Sequence, residues 1–405
     1  MRDHELKSRV MTCSSSLLRI VHSSHGKFNH QALARQLYRH DALAGFFTGY
    51  PRLKLKDLGV PPKLVHTFPW MEVPYHLGFR FGVMKGGLQR EWEWWLYETF
   101  DRWVSRHLPA ADAYIGLSCA SLHAGRAFQR QGGLYFCERH STHIRTQDQL
   151  LADEHARMGF PYQPIDPRVV EKEMEEYAAA DAIVVPGEFA YRSFLDWGVP
   201  IEKLRKVPLG VDLRCFSKVA EPDPEYFDVL FVGGVSLRKG VPDLFDAFTR
   251  LQHPRKRLRI VGAVSGAMRE FLLSRYGHPD GVEFLGVWPQ PKLREIMSRS
   301  HVLVLPSIED GFGLVLAQAL ACGCPVIASR NTGAEDLFTD GVEGYIVPIR
   351  APDILAERLQ SLVDDPKRRQ SMSEAALLGV RAFGSSDQYG DRIVNTVKDL
   401  LHARS

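Results

Sequence analysis

The sequence predicts two doubly wound α/β domains. Three observations carry this: a second half in which short apolar runs alternate with helical patterns, a first half repeating the arrangement less regularly, and a length of 405 residues, more than one hydrophobic core normally fills.

In the second half the apolar runs are FDVLFVGG (227–234), LRIVGA (258–263), VEFLG (282–286), HVLVLPS (301–307), PVIAS (325–329) and GYIVP (344–348). Segments such as PDLFDAFTRL and KLREIMSRS lie between them with helical spacing. Repetition of strand, helix and strand requires a parallel sheet wrapped by helices, with ligands at the carboxyl ends of the strands. The first half offers SLLRIVHS (16–23), AGFFTG (44–49), AYIGLS (113–118), LYFCERH (134–140) and AIVVPGEF (182–189). Pro208 and Gly210 in VPLGVDLRCF (207–216) punctuate the passage between the halves. The division is therefore an N-terminal domain at 1–210, a C-terminal domain at 211–384, and an amphipathic helix at 385–405 expected to pack back toward the first domain.

Bulk properties narrow the function. A net charge of +3 gives no argument for a nucleic-acid partner. The six cysteines are scattered, without zinc-site spacing or the density of a disulfide scaffold, which fits a reducing, cytoplasmic setting. Near the N-terminus Arg19 interrupts an apolar run too short to span a bilayer, so the expectation is no secretion signal and no transmembrane anchor. Peripheral attachment at the inner face of the membrane stays open, because it needs only a surface patch.

Two loops concentrate the chemistry. SIEDGFGLVLAQALACGCPVIAS (307–329) follows a strand and sets Glu309 and Asp310 directly before a Gly-Phe-Gly turn that opens an apolar helix. Acids there can be plain capping, but Gly311 and Gly313 also let another molecule approach a helix start, which is an anion site. VGGVSLRKGVPDLF (232–245) occupies the corresponding place after the first strand of the same domain. It joins Gly233, Gly234 and Gly240 to Arg238 and Lys239, where a guanidinium fork, an ammonium and free helix N–H groups together suit a diphosphate. Two solvated surface cations are the plainer alternative.

With these residues in hand, the chain resembles the glycosyltransferase family 4 enzymes, through PSIEDGFGLVLAQALACGCPVIAS, FVGGVSLRKG, VPLGVD and ADAIVVPGEF in the family's order. The resemblance runs over roughly the C-terminal half to three fifths of the chain. It implies the GT-B fold, two Rossmann-like domains facing across a cleft, and transfer of a sugar from a nucleotide-sugar donor with retention of configuration. The family pattern of an acid, seven intervening residues and a Glu falls on Asp310 and Gln318, so Asp310, with Glu309, is expected to orient sugar hydroxyls. Gln318 is expected to touch ribose. Its amide lacks the charge that strengthens carboxylate hydrogen bonds. An Arg that many members carry in the first loop is Gly234 here, which leaves Arg238 and Lys239 to neutralise the leaving diphosphate. Gly311, Phe312, Gly313 and Leu314 shape the turn at the phosphates, and the backbone of Val287 meets the base.

The N-terminal half is expected to supply the acceptor side. In HSSHGKFNHQALARQL (22–37), Gly26 allows a close backbone approach and Lys27 could meet a phosphate or remain a solvated loop cation. At the end of the fourth apolar run stand Glu138, His140 and His143, candidates for the cleft, with His143 the preferred catalytic member; plain polar loop residues are the alternative. Their spacing matches no metal site. The stretch GGLQREWEWWLYETFDRWVSRHL (86–108) places Leu88, Trp92, Trp95, Leu96, Thr99 and Trp103 near one helical face, read as core or acceptor wall in preference to a membrane-facing helix.

The resulting expectation is an enzyme, a hexosyltransferase acting in polysaccharide or glycoconjugate synthesis, with a carbohydrate or lipid-linked acceptor. No DxD motif occurs, so no metal or other cofactor is expected to be required. Alternatives on the same plan are a sugar-nucleotide epimerase, a phosphorylase, or a catalytically silent nucleotide-binding partner protein.

Overall fold

The computed structural model describes residues 18–26, 30–210, 214–383 and 386–404. Two parallel sheets organise them. The first has seven strands: β1 Ile20–Ser24, β2 Leu43–Thr48, β3 Val65–Thr67, β4 Ala113–Leu117, β5 Leu134–Glu138, β6 Ala182–Val185 and β7 Leu204–Lys206, in the order β3-β2-β1-β4-β5-β6-β7. The second has six: β8 Phe227–Val232, β9 Lys256–Val261, β10 Val282–Gly286, β11 Val302–Leu305, β12 Val326–Ser329 and β13 Gly344–Val347, in the order β10-β9-β8-β11-β12-β13.

Helices pack on the sheets, which is why the central strands read as continuous apolar runs and not as alternations. Val229, Leu230 and Phe231 of β8, the whole of β11 and the whole of β12 are buried. Chain order reverses beside β1 in one sheet and beside β8 in the other. A crevice therefore opens at the carboxyl ends of β1 and β4, and another at those of β8 and β11. Both loops singled out from the sequence emerge at the second crevice.

Two strands escaped the sequence reading. β3 and β7 are three residues long and sit at opposite edges of the first sheet, too short to display an apolar run. The Trp-rich helix, Gly86–Ser105, also differs in phase from the expected stripe. Its buried positions are Leu96, Phe100 and Val104, together with Glu98 and Asp101, whereas Leu88 and Trp95 face solvent. The buried acids are satisfied: Lys172 Nζ lies 2.9 Å from each, and Asp101 also accepts the backbone N–H groups of His123 and Ala124 at the start of the helix Leu122–Arg130.

The domains touch at several points. Arg157 reaches Asp243 at 2.8 Å, Arg350 reaches Glu154 at 2.9 Å, and the Glu188 N–H donates to Asp336 at 2.7 Å. The helix Ser386–Arg404 lies against the first domain, where Asp391 pairs with His40 at 2.7 Å and Arg392 donates to the Pro208 carbonyl at 3.0 Å.

Candidate active site

The loop after β8 turns tightly into the helix Val241–Arg250. Gly240 makes this possible: its φ is +65°, and a Cβ there would sit 1.9 Å from the Pro306 carbonyl oxygen at the end of β11. The two loops are then joined directly, since the Ile308 N–H donates to the Arg238 carbonyl at 2.8 Å. That bond aligns two cations with two acids. Arg238 Nε donates to Glu309 at 2.7 Å, and Lys239 Nζ donates to Asp310.

The adjacent acids do opposite things. Asp310 turns toward the helix Leu314–Ala321, where its Oδ1 accepts the N–H of Gly313, the residue that precedes the helix, at 3.2 Å, and it holds Lys239 at the helix mouth. Gly313 takes φ +66° to form this mouth. Glu309 is fully buried and turns toward the other domain. Its Oε1 accepts from Ser141 Oγ at 2.6 Å, Thr142 Oγ1 at 3.0 Å and the Thr142 N–H at 3.3 Å, while Oε2 takes Arg238. Burial alone would raise its pKa. Arg238 and these donors outweigh burial and hold it near about 2.

Contrary to expectation, Glu309 is a link between domains, with neither oxygen turned to the cleft as a sugar contact would need. Gly311 shows how close that link is, because a Cβ on it would meet the His140 carbonyl oxygen at 2.0 Å. Ser141 and Thr142 were not singled out from the sequence. Their only signal was a position just past the end of β5.

Other expected residues separate into two groups. Among the described residues no atom lies within 4 Å of a Cβ added to Gly26 or Gly234, each in a loop at a crevice of its own sheet. Gly233 lies beneath, its carbonyl oxygen 1.8 Å from where a Cβ on Gly262 would stand. Leu314 and Gln318 are half-buried on the helix behind the mouth. Phe312 departs from expectation in that its side chain is buried, against Gly333 and Gly187, and only its backbone belongs to the turn. Val287 is exposed, just past β10. Lys27 lies outside the described residues.

His143 also departs from its expected catalytic role. It is the N-cap of the helix Ile144–Met158, accepting from the Arg145 N–H, and its buried ring stacks on Trp197 with centroids 5.4 Å apart. Burial, with Arg139 and Arg145 nearby, lowers its pKa to about 3, so it is a neutral core residue. Glu138 and His140 lie in a different setting, a buried cluster with His22, His30 and Tyr389. His140 Nε2 is 2.8 Å from Glu138, the Tyr389 hydroxyl donates to Glu138, and the His30 and His140 rings stack at 4.9 Å. His22, His30 and Glu138 bring ligand-capable atoms within 4.8 Å of one another, a grouping that their separation in sequence concealed.

This cluster predicts acid sensitivity. Burial lowers the His22 pKa to about 3, against 6.5 for a free imidazole. The unfolded chain therefore takes up a proton as pH falls below 6.5, and the folded chain does not until about 3. His143 acts in the same sense. Stability is fullest above pH 6.5 and drains toward pH 3, by a few kcal/mol in order of magnitude. Urea midpoints measured across this range are expected to begin falling above the carboxylate range, and His22→Asn to weaken that fall.

Comparison with known proteins bears on the fold and on the second domain. Residues 216–378 match the glycosyl transferases group 1 family. Among curated relatives, the D-inositol 3-phosphate glycosyltransferase of Kribbella flavida is 28% identical over 262 residues, 60% of this chain and 62% of that one. Its counterpart from an Arthrobacter species is 34% identical over 193 residues, 44% of this chain and 46% of that one. The chain thus spans about half to three fifths of the length of these relatives. Over almost the whole chain the fold is similar to sucrose-phosphate synthase from Thermosynechococcus elongatus, with TM-score 0.72, 22% identity and coverage of 95% and 100%. It is also similar to the Anabaena protein HepE in complex with UDP-glucose, with TM-score 0.64, 15% identity and coverage of 94% and 100%. The two parallel sheets and the solved structures lead to one conclusion: the chain has a two-domain GT-B fold, and its residues 216–378 are similar to the glycosyl transferases group 1 family.

Proposed function

We propose that the protein is a glycosyltransferase that moves a hexosyl group from a nucleotide-sugar donor to an acceptor hydroxyl with retention of configuration, in polysaccharide or glycoconjugate synthesis. The observation that carries this reading is the pairing of Lys239 with Asp310 at the mouth of the helix Leu314–Ala321. Without ligand the ammonium rests on a carboxylate. A diphosphate entering the crevice offers Lys239 a more highly charged partner and meets the helix N–H groups at the same place.

In this reading Lys239 and Arg238 neutralise charge as the nucleoside diphosphate leaves, the role a metal ion takes in other transferases. Asp310, released from Lys239, turns to sugar hydroxyls, and Gln318 donates to and accepts from ribose. Retention follows from attack on the face that the leaving phosphate vacates, which needs no protein nucleophile. The match over residues 216–378 favours transfer over the epimerase, phosphorylase and silent readings. The UDP-glucose held by HepE supports a uridine nucleotide as the first to test.

The test is the melting temperature in the presence of UDP, GDP or ADP. A nucleotide that binds only the folded protein stabilises it by about 2.7 kcal/mol at a hundred times its Kd. UDP is expected to raise the midpoint by several degrees, and the matching UDP-sugar to be consumed only when an acceptor is added. No shift with any nucleotide contradicts the proposal.

A further inference from the structure

The helix Pro69–Arg80 is inverted relative to an ordinary surface helix. Its one buried residue is Glu72, while Trp70, Val73, Leu77 and Phe79 face solvent. It forms a hairpin with the helix Gly86–Ser105, pinned by the Trp92 Nε1–H donating to the Met71 carbonyl at 3.0 Å and by Tyr75 donating to Glu93. The connecting turn is ordered by its own bonds. The Val83 and Met84 N–H groups both reach the Gly78 carbonyl, at 2.9 and 3.2 Å, and the Met84 side chain folds inward against Gly78. The same turn forces its neighbours outward, leaving Phe81 74% and Val83 63% exposed, with Leu88 also in solvent.

Charge at this tip has one sign. Between Glu72 and Glu91 the sequence contains no acid and three cations, Arg80, Lys85 and Arg90. Arg90 turns back to Asp166 and the Pro164 carbonyl, whereas Arg80 and Lys85 are exposed and have no acidic partner among the described residues. An exposed aromatic and aliphatic cluster flanked by unpaired cations complements the headgroup and acyl boundary of an anionic bilayer. A second copy of this chain would bring like charges together. No described helix is long and apolar enough to cross a membrane.

We propose that the tip formed by Leu77, Phe79, Arg80, Phe81, Val83, Lys85 and Leu88 docks the protein onto the surface of an anionic lipid bilayer. Phe81, Val83 and Leu88 enter the interface, and Arg80 and Lys85 meet the phosphates.

Co-sedimentation of the full chain with vesicles tests this. It reads binding alone, so its result is independent of whether the protein transfers sugar. The wild type is expected to partition onto phosphatidylglycerol vesicles at least about tenfold more strongly than onto phosphatidylcholine, less so as salt rises. The double variant Phe81→Ser/Val83→Ser is expected to lose at least about tenfold in partitioning with an unchanged melting temperature, because both side chains are already in water. Arg80→Gln/Lys85→Gln is expected to remove the preference for the anionic lipid. The proposal is overturned if the wild type stays in the supernatant with phosphatidylglycerol at low salt, or if the Phe81/Val83 variant partitions equally well. It is overturned too if sedimentation velocity shows a wild-type dimer that this variant dissociates, which would assign the face to a second copy.

Discussion

Glu309→Ala is expected to destabilise the protein by about 3 kcal/mol and to loosen the contact between its domains. The variant removes the acceptor for Ser141 Oγ, Thr142 Oγ1 and the Thr142 N–H, and strips Arg238 of its partner. Arg238 keeps 35% of its side chain exposed, so water recovers part of the loss on that side. On the other side the Thr142 hydroxyl and N–H stay enclosed and their loss is carried in full, whereas the half-buried Ser141 regains water. Glu309→Gln keeps the shape and one acceptor but gives up the charge, and is expected to cost less, about 1–2 kcal/mol.

The pH dependence separates charge from shape. The Glu309 pKa is lowered from 4.5 to about 2, so its carboxylate contributes fully above 4.5 and less and less as pH falls toward 2. The gap between wild type and Glu309→Gln in urea midpoints should therefore be constant near neutrality and close in acid. A Glu309→Ala protein that unfolds like the wild type at pH 7 would show that this link carries no load.

Lys239→Ala is expected to lower kcat by about a hundredfold to a thousandfold while leaving the melting temperature nearly unchanged. The asymmetry follows from its surroundings. Asp310 remains satisfied by the Gly313 N–H when the ammonium is gone, so the fold loses little, whereas the departing diphosphate loses a point charge. Lys239→Arg restores charge with different geometry and is expected to recover part of the rate. Equal turnover by wild type and Lys239→Ala would remove Lys239 from the mechanism.

β8, β11 and β12 were legible because they are buried on both faces and so appear as apolar runs, whereas β9 and β10, toward the sheet edge, are only partly buried and were read from the shorter runs LRIVGA and VEFLG. β3 and β7 were not, since three residues at a sheet edge leave no pattern. The paired loops were visible as chemistry: glycines, two cations and two acids at strand ends. What the sequence could not show is which way neighbours point. Glu309 and Asp310 are adjacent, yet one serves Thr142 in the other domain and the other serves Gly313 three residues on. Only the tertiary partner decides between them.

His143 illustrates the same limit. A His after a strand reads as a cleft residue until the helix beginning at Ile144 claims it as a cap and Trp197 covers its ring. The Trp-bearing helix was legible in type and misleading in phase, because part of it projects in a hairpin where no core exists to set the pattern.

The central claim is that a diphosphate sits between Lys239 with Arg238 and the mouth of the helix Leu314–Ala321. Calorimetric titration of UDP and UMP into wild type and Lys239→Ala tests it most directly. The account predicts that UDP binds the wild type at least about tenfold more tightly than UMP, through the added charge-assisted hydrogen bonds, and that the advantage collapses in the variant. Equal affinities for UDP and UMP, or an advantage that survives the loss of Lys239, would contradict it.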